Sequence, residues 1–215
     1  MTTVGQLNLN MNKYNTFTIV FLLTGIITIT GCKSQNESKK GTAIQPSQQT
    51  DRTFNPGQYI SIHEAALNGQ TAEVMRILDE GINVNTTDQD GRTALMYGAF
   101  NGHTDLLEKL IRKGAAVNLC DNFGRTALMF ASSGSFPDAV RLLLKNQADP
   151  NIADSEEHFT ALMYAAAEGH IEVVRLLLTF NADPELKDID GDYAMTFAEK
   201  NGHKDVVKLL QPFLK

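Results

Sequence analysis

The chain has 215 residues and a formal net charge of −6, a balance that excludes the basic stripe a nucleic-acid partner requires. Its two cysteines are too few for a disulfide framework. Hydrophobic residues make up 42% of it, enough to build a core without such cross-links.

Residues 1–12 carry no charge, and Lys13 precedes an apolar run over residues 17–30. That run of about 14 residues is shorter than the ~20 of a membrane-spanning helix and has the proportions of a secretory h-region. It closes on Ile29-Thr30-Gly31-Cys32. This ending resembles a bacterial lipoprotein signal, which implies cleavage before Cys32 and lipidation of that cysteine. The residues alone leave two alternatives, a plain cleaved signal or an anchor helix with an incidental cysteine. Residues 1–31 are therefore read as a signal peptide. Met11 is an alternative start, since Met11-Asn12-Lys13 supplies a charged n-region. The resemblance implies a location in the cell envelope. Lys33 lacks the acidic character linked to inner-membrane retention in enterobacteria, so a Gram-negative host would carry the protein in the outer membrane, facing the periplasm. A Gram-positive host would carry it on the outer face of the cell membrane. Lipidated Cys32 would leave Cys120 as the only other cysteine, read as a half-buried filler, with a reactive thiol as the alternative.

Residues 32–58 are polar, with Pro46 and Pro56 and little to bury. They read as a disordered tether with a reach of roughly 25–30 Å.

From residue 59 onward the chain repeats. Thr93-Ala94-Leu95-Met96-Tyr97 returns 33 residues later as Thr126-Ala127-Leu128-Met129-Phe130, and 34 after that as Thr160-Ala161-Leu162-Met163-Tyr164. Weaker copies begin at Ile60 and Tyr193, where the inner copies have Thr. A fixed period of this size means a stacked array. Each copy continues into a second apolar-periodic helix, such as Val173-Val174-Arg175-Leu176-Leu177-Leu178. Gly81, Gly114, Gln147 and Asn181 follow these helices, where a left-handed C-cap is expected. Asp88, Asp121 and Asp188 then open tight turns as Asx residues.

This unit resembles the ankyrin repeat. The family's Thr-Pro-Leu-His stands here as Thr-Ala-Leu-Met, and its Gly-His link recurs at Asn101-Gly102-His103, Glu168-Gly169-His170 and Asn201-Gly202-His203. The resemblance implies an all-α solenoid of about five helix-turn-helix repeats with short β-turn loops, over 59–91, 92–124, 125–158, 159–191 and 192–215. Repeat three departs from the pattern in its link, Gly134-Ser135-Phe136-Pro137. The turn Asp154-Ser155-Glu156-Glu157-His158-Phe159 carries one extra residue and no Gly. Repeat three is thus the expected weak point.

Chemistry-bearing motifs are absent. There is no phosphate-binding Gly-rich loop, no His-Glu-x-x-His, no Cys-x-x-Cys and no Gly-x-Ser-x-Gly. His103, His170 and His203 occupy one repeat position, and packed helices stand roughly 8–10 Å apart, too far for equivalent residues to share a zinc ion. They read as backbone-bonding link residues. No cofactor, metal, catalytic residue or small-molecule substrate is expected.

The recognition candidates lie on the first helices and the turn tips. At 100° per residue Tyr97, Phe100 and Asn101 face away from the second helix, on what the resemblance implies is the concave groove. Phe130, Tyr164 and Phe197 repeat the Tyr97 position, and Glu168 repeats Asn101. Two readings stay open for this aromatic column: a solvent-facing binding ladder, or packing between repeats. Phe123, Arg125, Glu157, His158 and Phe159 mark the tips, with Phe159 alternatively filling the gap left by the inserted residue. The reading is a non-catalytic protein-binding scaffold tethered by lipid. An envelope inhibitor or immunity-type protein is the alternative, because an acidic groove would suit a basic enzyme.

Overall fold

The computed structural model describes residues 60–213. The expected signal peptide, Cys32 and the tether lie outside them. Among the described residues ten helices occur in five antiparallel pairs: α1 (Ile62–Leu67) with α2 (Thr71–Asp79), α3 (Ala94–Phe100) with α4 (Thr104–Arg112), α5 (Ala127–Ser133) with α6 (Pro137–Lys145), α7 (Ala161–Ala167) with α8 (Ile171–Thr179), and α9 (Ala194–Lys200) with α10 (Lys204–Leu210). A 3-10 turn, Gln211–Phe213, closes the array.

The recurring Thr-x-x-Met begins the inner first helices. Thr93 Oγ1 accepts the Met96 N–H at 3.4 Å, and Met96 Sδ accepts the Thr93 N–H at 3.5 Å. Thr126 and Met129 repeat both bonds. Methionine thus stands where Glu or Gln completes a capping box. Repeat one differs from its expected register. Ile60 does not take the threonine's role; Ser61 caps α1 instead, accepting the Glu64 N–H at 3.0 Å. The second helices end on Gly81 (φ 95), Gly114 (φ 90), Gln147 (φ 67) and Asn181 (φ 63), all left-handed as expected.

Stacking does the rest. Ala94, Leu95, Ala99, Leu106, Leu107 and Leu110 of one repeat, and their equivalents in the next, form one continuous buried core. First helices pack directly along the array and second helices pack less closely, so the stack curves with the first helices on its inner side. Side chains also bond across repeats. His103, His170 and His203 reach backbone carbonyls of the preceding repeat at Leu67, Ser133 and Ala167, over 3.0, 3.2 and 2.9 Å. Asn101 and Asn201 join them on Leu67 and Ala167. On the loops Asn85, Asn118 and Asn151 each accept an N–H and donate to a carbonyl of the following repeat.

Repeat three breaks this pattern in three places. Gly134 and Phe136 replace the Asn and His of its link, so the Phe100 carbonyl receives no side-chain bond from it. The Phe136 ring lies over Gly102 and Gly134 instead, where an added Cβ would sit 2.3 Å from ring atoms. The Ser132 hydroxyl is buried with no hydrogen-bond partner, where the equivalent residues are Ala99 and Ala166. Gln147 holds a left-handed backbone that costs a side-chain-bearing residue roughly 1–2 kcal/mol.

Ser132→Ala should therefore stabilise the protein by about 1 kcal/mol, since it removes a buried unsatisfied hydroxyl. Amide exchange should be faster over residues 133–159 than in repeats two and four. A destabilised Ser132→Ala variant, or uniform protection, would contradict this account.

Candidate protein-interaction surface

The turn ahead of each first helix is built on a carboxylate. Asp88 Oδ1 accepts the N–H groups of Asp90 and Arg92 at 2.9 Å each. Asp121 Oδ1 accepts those of Phe123 and Arg125, and Asp188 Oδ1 those of Asp190 and Asp192. In the lengthened turn Asp154 Oδ1 accepts from Glu156 and Glu157. There His158 takes the left-handed φ of 59° that Gly91, Gly124 and Gly191 supply elsewhere. Turn tips then bond to one another, Asn122 N–H to Asp90 O at 2.9 Å, Ser155 N–H to Phe123 O at 2.9 Å and Ile189 N–H to Glu157 O at 3.2 Å. The tips form one edge of the array.

The second carboxylate oxygen ties this edge to the aromatic column. The Tyr97 hydroxyl donates to Asp88 Oδ2 at 2.6 Å, and the Tyr164 hydroxyl to Asp154 Oδ2 at 2.9 Å. Burial pushes the Tyr164 phenol well above its ordinary value, and the Asp154 carboxylate beside it adds to the effect. Burial also raises Tyr97, with the Asp88 hydrogen bond acting in the same direction. For Asp88 burial acts upward, but the Tyr97 hydroxyl and the backbone N–H groups of Arg92 and Asp90 outweigh it and hold the carboxyl below 3.8.

In repeat three an arginine replaces the tyrosine hydroxyl. Arg125 donates through Nε and Nη2 to Asp121 Oδ2 at 2.9 and 2.8 Å, and Arg92 Nε lies 3.5 Å from the same oxygen. Asp121 is buried, so this pairing compensates a carboxylate that water cannot reach. The guanidiniums stack on the rings as well. Arg125 lies 4.6 Å from the Phe123 centroid and 5.2 Å from Phe130, and Arg92 lies 5.8 Å from Phe130.

The column is therefore not one uniform ladder. Phe197 is 1% exposed and belongs to the core. Tyr164 and Phe159 are half-buried, and Phe159 packs 5.5 Å from Tyr164 and 4.8 Å from Phe197, so the inserted residue's gap is filled by that ring. Tyr97 and Phe130 are also half-buried, packed against the core from the concave side. Phe100 is 41% exposed, with its ring edge-on to Phe130 at 6.2 Å. Phe123 and Arg125 are half-exposed at the tip, while Asn101, Glu157, His158 and Glu168 are exposed. Tyr97, Phe100, Asn101, Phe130, Phe123 and Arg125 come together on repeats two and three; Glu157, His158, Phe159, Tyr164 and Glu168 form a second group on the turn and first helix of repeat four. Cys32 lies outside the described residues. Cys120 is half-buried, as expected of a small filler in the loop arm. Sequence reasoning did not assign the hydroxyl–carboxylate bonds. Their signal is an Asp opening the turn ahead of a first-helix Tyr, nine residues before Tyr97 at Asp88 and, with the inserted residue, ten before Tyr164 at Asp154.

Truncation separates the two roles of the column. Tyr164→Phe should cost about 1 kcal/mol for the lost hydrogen bond, and Tyr164→Ala about 3 kcal/mol or more in denaturant unfolding. Tyr97→Ala should cost clearly less than Tyr164→Ala. The depressed Asp88 carboxyl contributes stability that is present above 3.8 and lost as pH falls through that value and below. Asp88→Asn should therefore shallow the acid-unfolding profile in that window; an unchanged slope would show that Asp88 contributes nothing there.

The family model for ankyrin repeats in three copies matches residues 62–154 and again 146–213. A search of curated protein sequences returned no match.

Proposed function

The chain belongs to the ankyrin-repeat family, and from that premise we propose a non-catalytic scaffold that binds a partner protein through its concave face and turn tips. The observation that carries this reading is Phe100. It ends a first helix on the inner side of the curve, is 41% exposed, and touches Phe130 rather than the core. A large apolar side chain beside polar Asn101 and the Arg92–Arg125 pair has the composition of an interface anchor with a polar surround. Loop geometry supports the same use, because the inter-repeat bonds hold the tips rigid and reduce the ordering cost of binding.

The cellular setting proposed is a bacterial envelope, with lipidated Cys32 as the anchor and residues 33–58 as the tether. The support is the sequence ending Ile29-Thr30-Gly31-Cys32 after a short apolar run. Each buried methylene contributes roughly 0.8 kcal/mol, so two or three acyl chains would hold the protein at a membrane. An inhibitory role toward a basic envelope enzyme is the second reading, favoured by the acidic composition.

Two measurements test these parts separately. Phe100→Ala should leave the denaturant midpoint nearly unchanged and weaken capture of a protein partner from envelope extract by ~2 kcal/mol or more. Unchanged capture would remove Phe100 from the interface. Mass spectrometry of membrane-bound protein should find an acylated N-terminal peptide beginning at Cys32. An unmodified Cys32, or Cys32→Ser protein that stays membrane-bound at processed size, would refute the anchor.

A further inference from the structure

Charge is distributed unequally between the two sides of the array. On the second helices Arg76, Lys109, Arg112, Arg175 and Lys208 each pair with a carboxylate three or four residues away. The outer side is therefore locally neutralised. On the inner side the cations are already engaged: Arg125 and Arg92 lie on Asp121, and Lys200 on Asp192. The exposed carboxylates Glu64 and Glu168 of the first helices, and Glu156 and Glu157 of the tips, pair with no cation among the described residues. Uncompensated negative charge thus flanks Phe100 along the inner side, toward repeat one and toward repeat four.

Complementary potential fixes partner choice and register more than it adds affinity. We infer that the concave face takes a basic segment of its partner, with an apolar side chain set on Phe100 and lysines or arginines toward Glu64 and Glu168. This inference rests on the recognition reading above and adds the chemistry of the partner to it. Neutralised ion pairs on the outer helices make that side a poor competitor for the same segment.

The test uses the full chain in non-ionic micelles with two short peptides, one of lysines and leucines and one of glutamates and leucines, titrated at low and at physiological salt. The lysine peptide should bind and weaken with salt. Glu64→Lys with Glu168→Lys, and Phe100→Ala alone, should each weaken it by about tenfold or more. Reversing the outer-helix carboxylates Glu172 and Asp205 to Lys should change it by less than about twofold. Glu64→Gln with Glu168→Gln guards against a folding artefact of the reversal, and should give a smaller loss in the same direction. Equal losses from inner and outer reversals would mean general attraction to an acidic protein and would overturn the inference. Preference for the glutamate peptide, lost in Phe100→Ala, would overturn the charge assignment and leave the groove standing as a recognition face. If neither peptide responds to any inner-side substitution, both readings fail.

Discussion

A pair of helices of seven and nine residues cannot bury its own apolar face, and everything else in this chain follows from that constraint. Each repeat offers Leu, Ala and Val to both neighbours, so the core is one strip rather than five separate ones. The polar groups follow the same rule. Carbonyls left over at the end of a first helix are satisfied by the His and Asn of the next repeat, and the loop amides by Asn85, Asn118 and Asn151. Stability therefore passes from neighbour to neighbour, and a defect acts on the interface beside it. Repeat three concentrates such defects in Ser132, Gln147 and the Phe136 link, midway along the array.

The inner face is a second product of the same stacking. Small buried residues such as Ala94 and Ala99 line the contacts between first helices, and Gly98 lets α3 lie close on α4, where an added Cβ would stand 3.2 Å from Leu107. Closer packing on that side bends the array and gathers the first-helix aromatics on the concave surface. Burial then sorts them. Tyr164 bonds a turn carboxylate and Phe197 packs into the core, so both are structural. Phe100, at the last helical position, bonds no carboxylate and stays exposed, with its ring edge-on to Phe130. The same position is Leu67, Ser133, Ala167 and Lys200 in the other repeats, so the aromatic anchor belongs to repeat two rather than to every repeat.

Much of this was legible in the sequence because it depends on period. Thr-x-x-Met and the left-handed C-caps recur every 33 or 34 residues, Gly-His keeps the same register outside repeat three, and a recurring residue has a recurring structural reason. The left-handed Gln147 was readable for the same cause. Departures from the period were harder. The shift of the first cap to Ser61 rests on a choice between adjacent residues. The placement of Phe136 over Gly102 depends on a neighbour 34 positions away. The division of the aromatic column into structural and exposed rings was not legible, because it depends on which oxygen of Asp88, Asp121 or Asp154 remains after the turn amides are satisfied. In repeat three Arg125 takes that oxygen, which leaves Phe130 to be covered by guanidinium instead.

The central claim is that recognition belongs to the concave first-helix face and the adjoining turn tips. The most direct measurement is a hydrogen–deuterium exchange footprint of the full chain bound to the protein it captures from envelope extract. Protection confined to the ends of α3, α5 and α7 and to the turns at residues 88–92, 121–125 and 154–159 is the predicted result. Protection on the outer faces of α4, α6 and α8, with those turns unchanged, would contradict it.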